Sequence, residues 1–255
     1  MTELERIKQQ FNTVGAVVVP SVFHADLIEQ LLAELEVAID EDHQLRPDVF
    51  DAGMVHNCMT RGKNMLALLD HSALNNYLSE LFTPHCIVYA YQSSSLPPKK
   101  GNYGTRIHVD CPRFIPDYVS NIGVIIPLND FTLENGATFY LAGSHRMSEL
   151  PAEQEFYARA QRLVCSKGDL ILFNARLVHA AGVNNTQHTR HALTINLCRP
   201  YMRQRFDFPR LMTKQQIESL GENGRKLIGM NVRMPASLDE FYLPADQRLY
   251  KPGQE

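Results

Sequence analysis

GDLILFNARLVHAAGVNNTQHTRHALTINLC, residues 168–198, decides the fold. It holds two short β-type runs, DLILFN and ALTINLC, on either side of a polar turn, AAGVNNTQHT, whose Gly and Asn residues favour a change of chain direction. The same texture extends back to Cys86 through CIVYAYQSS, RIHVD, NIGVIIPL and ATFYLAG, punctuated by Pro, Gly, Asn and Asp. Many short strands with turn residues between them predict an antiparallel double-sheet jelly roll, closed over a small cavity with a mouth suited to a ligand.

Upstream the pattern is helical. Residues 2–12 are amphipathic, AVVVP (16–20) is a short strand, and 24–41 carries Leu27, Ile28, Leu31, Leu32 and Leu35 at helical spacing. GKNMLALLD and SALNNYLSELF give two more short helices that divide near His71 and Ser72. This layer is expected to pack on the outside of the larger sheet, giving a mainly β fold with helical support, in the α+β class. After Met202 only TKQQIESLG has a helical pattern; the rest, to Glu255, is loop-like and either caps the site or wraps the surface. No repeat, low-complexity tract or Gly/Ser linker divides the chain, so one domain over 1–255 is expected, with a helical N-terminal segment over residues 1–85, a core of about 86–200 and a tail over 201–255.

With 255 residues, 44 % of them hydrophobic and 21 % charged, the chain has ordinary globular usage rather than that of a disordered or membrane class. The net charge of −3 provides no basic field for nucleic acid, so a small molecule is the expected partner. The opening MTELERIKQQFN lacks the apolar run of a secretory signal or membrane span, so a cytoplasmic location is expected. Cys58, Cys86, Cys111, Cys165 and Cys198 are odd in number and form no CxxC pair, and most are expected to be buried thiols.

In RIHVD, His108 and Asp110 stand two residues apart, which on a strand puts both side chains on one face. His179 follows a strongly apolar run that can form the opposite wall. Two imidazoles and a carboxylate are the donor set of non-haem iron oxygenases: they cover one triangular face of the metal and leave the remaining positions for a bidentate co-substrate and dioxygen. Arg190 comes after the turn, where the chain re-enters the adjacent strand. Its planar, permanently charged fork suits the far carboxylate of a dicarboxylic keto acid. A lone HxD occurs by chance on many strands; the weight here lies in the combination, in order, with a downstream His and Arg.

RIHVDCP, NIGVIIPLNDFTLENGATFYLAGSHR and KGDLILFNARLVHAAGVNNTQHTRHALTINLCRP, taken in order, resemble the phytanoyl-CoA dioxygenase family of iron(II)- and 2-oxoglutarate-dependent oxygenases. The opening helix and AVVVPSVF resemble that family's amino terminus. The resemblance implies a double-stranded β-helix, cupin-like core, with His108, Asp110 and His179 holding Fe(II) and Arg190 binding the distal carboxylate of 2-oxoglutarate. It also implies dioxygen as co-substrate, succinate and CO2 as co-products, and oxidation of a substrate carbon. Halogenating relatives replace the carboxylate ligand with a small residue; Asp110 is present here, which favours hydroxylation, desaturation or cyclisation. The family's RxS pattern is not met, since His191 and Ala192 follow Arg190, and Thr194 is a substitute candidate.

Further candidates each have a plainer reading. Thr138, Gln92 and Asn121 are candidate co-substrate contacts, or ordinary strand residues. Tyr91 alternates with Gln92, so only one of them can face the keto acid. Arg106 shares the metal-facing side and is a candidate substrate contact, or a surface ion-pair partner; His56, Asn57 and Arg61 lie in a segment that can fold over the entrance. Arg113, with Lys99 and Lys100, would favour an anionic substrate, or is a solvated face. His145 and Arg146 read as a strand-ending turn, and His188 and His191 as loop and outward-facing residues. Two rival functions use the same residues: a cupin-like metal-binding module without turnover, and a zinc hydrolase, which would need a general base and no Arg190.

Overall fold

The computed structural model describes residues 1–47, 53–99, 101–251 and 253; Lys100 and Glu255 lie outside the described residues. The elements are α1 (Glu3–Val14), β1 (Ala16–Val19), α2 (Ala25–Leu45), α3 (Lys63–Ala67), α4 (Ser72–Leu81), β2 (Ile87–Ser93), β3 (Asn121–Pro127), β4 (Thr138–Tyr140), α5 (Glu153–Arg159), β5 (Gln161–Leu163), β6 (Leu170–Asn174), β7 (His179–Ala180) and β8 (Ala192–Cys198), followed by α6 (Phe208–Leu211), α7 (Lys214–Ser219), α8 (Glu222–Leu227) and α9 (Leu238–Phe241). The chain is a mixture of helices and two antiparallel sheets, the larger in the order β1-β6-β3-β8-β2 and the smaller in the order β5-β4-β7. Among the described residues no helix is long and apolar enough to cross a membrane.

Alternation along the strands of the larger sheet gives it two distinct faces. Val17 and Val19, Ile122, Val124 and Ile126, Leu170 and Leu172, and Leu193, Ile195 and Leu197 point to one side. There they form a single core with Ile7 and Phe11 of α1, Ile28, Leu31, Leu35 and Ala38 of α2, and Leu74 and Leu78 of α4. The expected helical layer on the larger sheet is therefore present. The Thr2 and Glu5 capping box starts α1, and Gly15, with φ 90°, ends it, so the chain turns directly into β1.

The opposite face of the sheet meets the smaller sheet, with Ile171 and Ala192 packing against Leu163, Ala137 and Phe131. A β-bulge between Val88 and Ala90 shifts the alternation of β2. Tyr91 is thereby sent into the helix-side core, where its hydroxyl donates to the Met65 carbonyl at 3.1 Å, and Gln92 is turned to the inner side. Four of the five cysteines are buried, Cys165 is half-buried, and all are free thiols.

Three expectations need correction. RIHVD is not a regular strand: it is extended chain whose only ladder among the described residues is the bridge from His108 to His179, with both N–H groups donating across it at 3.0 Å. The turn after His179 does not lead to a neighbouring strand, because β7 lies in the smaller sheet and β8 in the larger, so residues 181–191 cross between sheets. The tail also carries more helix than its local pattern predicts. Asp70 accepts hydrogen bonds from Gly221 N and Gly224 N, each 2.8 Å, and so caps α8 from far away in sequence, and Leu227 and Ile228 are buried in the main core.

Candidate metal centre and its cavity

A cavity of about 320 Å³ opens between the sheets. Arg190, Ala192, Thr194 and Asn196 all line it, every second residue of one stretch, as a strand's period of two requires. His108, Asp110 and His179 meet at one place in its wall, with ligand atoms within 4.8 Å of one another. Asp110 Oδ1 lies 3.6 Å from His108 Nε2 and 3.8 Å from His179 Nε2. These separations are slightly wider than the roughly 3 Å expected between neighbouring ligands about 2.1 Å from a shared ion.

The chemistry of the donors fits a metal. His108 Nδ1 lies 2.7 Å from the Arg106 carbonyl and His179 Nδ1 2.9 Å from the Leu177 carbonyl. A carbonyl only accepts, so in both neutral rings Nδ1 carries the proton and Nε2 presents its lone pair to Asp110 and the cavity. Asn121 Nδ2 donates to Asn196 Oδ1 at 3.1 Å, which leaves the Asn196 amide to hydrogen-bond the Asp110 carboxylate. Phe173 sets its ring edge-on to His179 with centroids 5.3 Å apart. Gly123 makes room for that ring, because a Cβ there would come within 2.1 Å of it.

Burial works to raise the Asp110 pKa, but the close His108 and His179 imidazoles, with Asn196, outweigh it and hold the carboxyl below its usual range. Burial works to lower the His108 pKa, yet Asp110 and the Arg106 carbonyl outweigh it, so that ring keeps its proton to a higher pH than a free imidazole. Burial dominates at His179 and lowers its pKa. A metal must displace the proton from His108, so affinity should be full above that raised pKa and fall as pH drops through it. Metal titrations between about pH 5 and 8 check this, and a flat profile would contradict it.

Arg190, 3 % exposed, projects into the same cavity. Its guanidinium stacks 4.0 Å from the Phe131 ring centroid and donates through Nη1 to the Gly136 carbonyl at 2.6 Å, while Nε is buried without a partner among the described residues. Burial pushes its pKa down to about 10, so the group is still a cation at neutral pH. Gly136 has φ +85°, and a Cβ there would meet Leu96 Cδ2 at 2.5 Å and the Gly182 carbonyl oxygen at 2.7 Å. Gly136→Ala is therefore expected to destabilise the fold by about 1–3 kcal/mol in urea unfolding and to displace the carbonyl that steadies Arg190.

Of the other residues singled out in the sequence, Thr138, Gln92 and Arg106 line the cavity, and Thr194 does too, donating its hydroxyl to the Gln92 carbonyl at 3.2 Å. Asn121 stands one step behind the wall, reaching it through Asn196. Arg113 and His56 are absent from the described lining: Arg113 is exposed on the segment beyond Asp110, and the His56 backbone bridges to Gln92, so its stretch contributes Met54 instead. Lys99 is exposed and also outside the lining. Arg61 is structural, pairing with Asp42 at 2.7 Å and Glu41 at 2.8 Å. His145 and Arg146 tie their turn to the Asn12 carbonyl at the end of α1, and His191 Nδ1 sits 2.9 Å from Ser95 Oγ. Asn196 and Arg205 also line the cavity, and neither was singled out in the sequence. The alternation from Arg190 points to Asn196; nothing local marks Arg205.

Two imidazoles and a carboxylate on the wall of a cavity between antiparallel sheets are the donor set that non-haem iron oxygenases use. Residues 11–192 match the phytanoyl-CoA dioxygenase (PhyH) family, and the chain belongs to it. It is 24 % identical to the uncharacterized protein Rv1501 of Mycobacterium tuberculosis, over 99 % of this chain and 96 % of that protein. It is 22 % identical to the iron/alpha-ketoglutarate-dependent dioxygenase ausU of Aspergillus calidoustus, over 92 % and 84 %. The crystal structure of the epimerase SnoN in complex with Fe3+, alpha ketoglutarate and nogalamycin RO superposes with a TM-score of 0.61 at 20 % identity, covering 76 % of this chain and 83 % of that one, a likeness of fold.

Proposed function

We propose that the chain is an iron(II)- and 2-oxoglutarate-dependent oxygenase that oxidises an unactivated carbon of a small molecule and releases succinate and CO2. The observation that carries this reading is the buried Arg190 cation, which shares one cavity with the three-ligand cluster and whose only hydrogen-bond acceptor among the described residues is the neutral Gly136 carbonyl. A buried guanidinium with spare donors is costly until an anion meets it, and a keto diacid bound at the cluster brings a second carboxylate. Residues 1–255 are taken as one catalytic unit with a double-stranded β-helix core, and His108, Asp110 and His179 as the iron ligands.

Bound iron would supply the activation of dioxygen. The chain's own residues hold and orient. The Arg106 and Leu177 carbonyls fix the two imidazoles, Asn196 steadies Asp110, and Arg190 anchors the co-substrate's far carboxylate, with Thr138, Gln92 and Thr194 supplying polar groups on the same wall. Asp110 fills the third ligand position, which favours hydroxylation over halogenation. Incubation with 2-oxoglutarate, iron(II) and a substrate panel should yield succinate only in the presence of both iron and dioxygen. Substrate turnover under argon would favour the hydrolase reading, and 2-oxoglutarate left unconsumed across the panel a binding module.

A further inference from the structure

Backbone pairing continues past the end of β2. Ser94 N donates to the Ala192 carbonyl at 2.8 Å and Ala192 N to the Ser94 carbonyl at 3.2 Å; Leu96 and Arg190 exchange the same two bonds at 2.8 and 3.0 Å. Gln92 pairs with Thr194 in the row before. Directly opposed residues of an antiparallel pair send their side chains to the same face, and residues two apart on one strand share a face. Three rows therefore follow one another along one wall: Gln92 with Thr194, Ser94 with Ala192, and Leu96 with Arg190. Ser94 is the diagonal neighbour of Arg190, at about 7–8 Å between Cα atoms, a separation that a long side chain spans. Ser94, Ala192 and Arg190 all line the cavity, as this register requires.

The side chains on these rows differ in what they can give. Thr194 Oγ1 donates to the Gln92 carbonyl at 3.2 Å, so its proton is committed and only lone pairs remain. Ala192, in the row beside Arg190, presents a methyl group. The Ser94 hydroxyl is half-buried and has no hydrogen-bond partner among the described residues, so its proton is free for a ligand. Asn196, two residues beyond Thr194, steadies Asp110, so along β8 the Ser94 row lies between the metal cluster and Arg190. We propose that Ser94 is a binding residue for the co-substrate, its hydroxyl donating to the same distal carboxylate that Arg190 holds and supplying from the neighbouring strand the donor that Ala192 lacks. This rests on the oxygenase reading. A carboxylate accepts at about four lone-pair sites, so a guanidinium and a hydroxyl can hold it together and fix its plane.

Removing the protein group and the ligand group in turn isolates the contact. 2-Oxobutyrate keeps the chelating keto acid of 2-oxoglutarate and lacks its distal carboxylate. Anaerobic titration of the iron(II)-loaded full chain with each acid, followed by the visible charge-transfer band, gives both dissociation constants without turnover. In Ser94→Ala the 2-oxoglutarate constant is expected to rise roughly tenfold or more, the effect of losing one hydrogen bond to a charged group, while 2-oxobutyrate binds within about twofold of its wild-type value. Thermal unfolding of the variant should match wild type, because the hydroxyl has no partner to lose. An unchanged 2-oxoglutarate constant would overturn the proposal, and so would equal weakening of both acids, which would make Ser94 structural. Wild-type protein that holds iron and gives no band with either acid would overturn the oxygenase reading as well, so the two failures are told apart.

Discussion

Asp110→Ala is expected to abolish succinate formation and to weaken iron(II) binding by roughly 100-fold or more, at least the effect of losing a partner that merely orients a ligand. Asp110 is the single acid in the described cavity lining, so its loss leaves two neutral imidazoles to hold a dication. The fold should survive, because the side chain is 29 % exposed and its partners, His108, His179 and Asn196, all belong to the site. Iron retained after gel filtration, read beside thermal unfolding of the metal-free protein, separates loss of metal from loss of structure. Wild-type turnover in the variant would remove Asp110 from the ligand set.

Arg190→Ala should act on the co-substrate and spare the metal. Truncating one partner of a buried charged pair costs about 2–5 kcal/mol, so the 2-oxoglutarate KM should rise at least ~30-fold while iron affinity changes little. Without co-substrate the cation is buried against a neutral carbonyl and an aromatic ring, and burial lowers its pKa to about 10. Arg190→Met, which keeps apolar bulk over Phe131 and removes the charge, is therefore expected to leave the protein at least as stable as wild type in urea. A large loss of stability in that variant would mean that Arg190 is structural, and an unchanged KM would place the anchor elsewhere.

The features legible in the sequence are those set by short periods or by uncommon residue types. Leu31 and Leu35 mark the buried face of α2 because a helix repeats every 3.6 residues, and the alternation of Leu170 and Leu172 with Ile171 separates the two sides of β6. His108, Asp110, His179 and Arg190 are recognisable because their chemistry has few other uses in that order. The same alternation reaches Asn196 three steps after Arg190, a signal as plain as the one that marks Thr194.

What stays hidden depends on partners distant in the chain. One bridge to His179 holds the His108 segment extended, so no strand pattern is needed there. The bulge at Val88, which decides that Gln92 rather than Tyr91 faces the cavity, is a property of pairing with β8. The cap on α8 comes from Asp70, and Arg205 enters the site only because the segment after Pro200 folds back on Tyr89. Charge beside the RIHVD stretch suggests Arg113, and a segment able to fold over the entrance suggests His56; the described cavity wall includes neither.

His108, Asp110 and His179 are proposed to hold one ferrous ion with positions left for a chelating keto acid. Anaerobic titration of the full chain with iron(II) and then 2-oxoglutarate tests it directly. A visible charge-transfer band that saturates at one equivalent of each, and is missing in His179→Ala and Asp110→Ala under the same loading, is the predicted result. A band of full intensity in both variants, or no band in wild-type protein that has bound iron and 2-oxoglutarate, would contradict it.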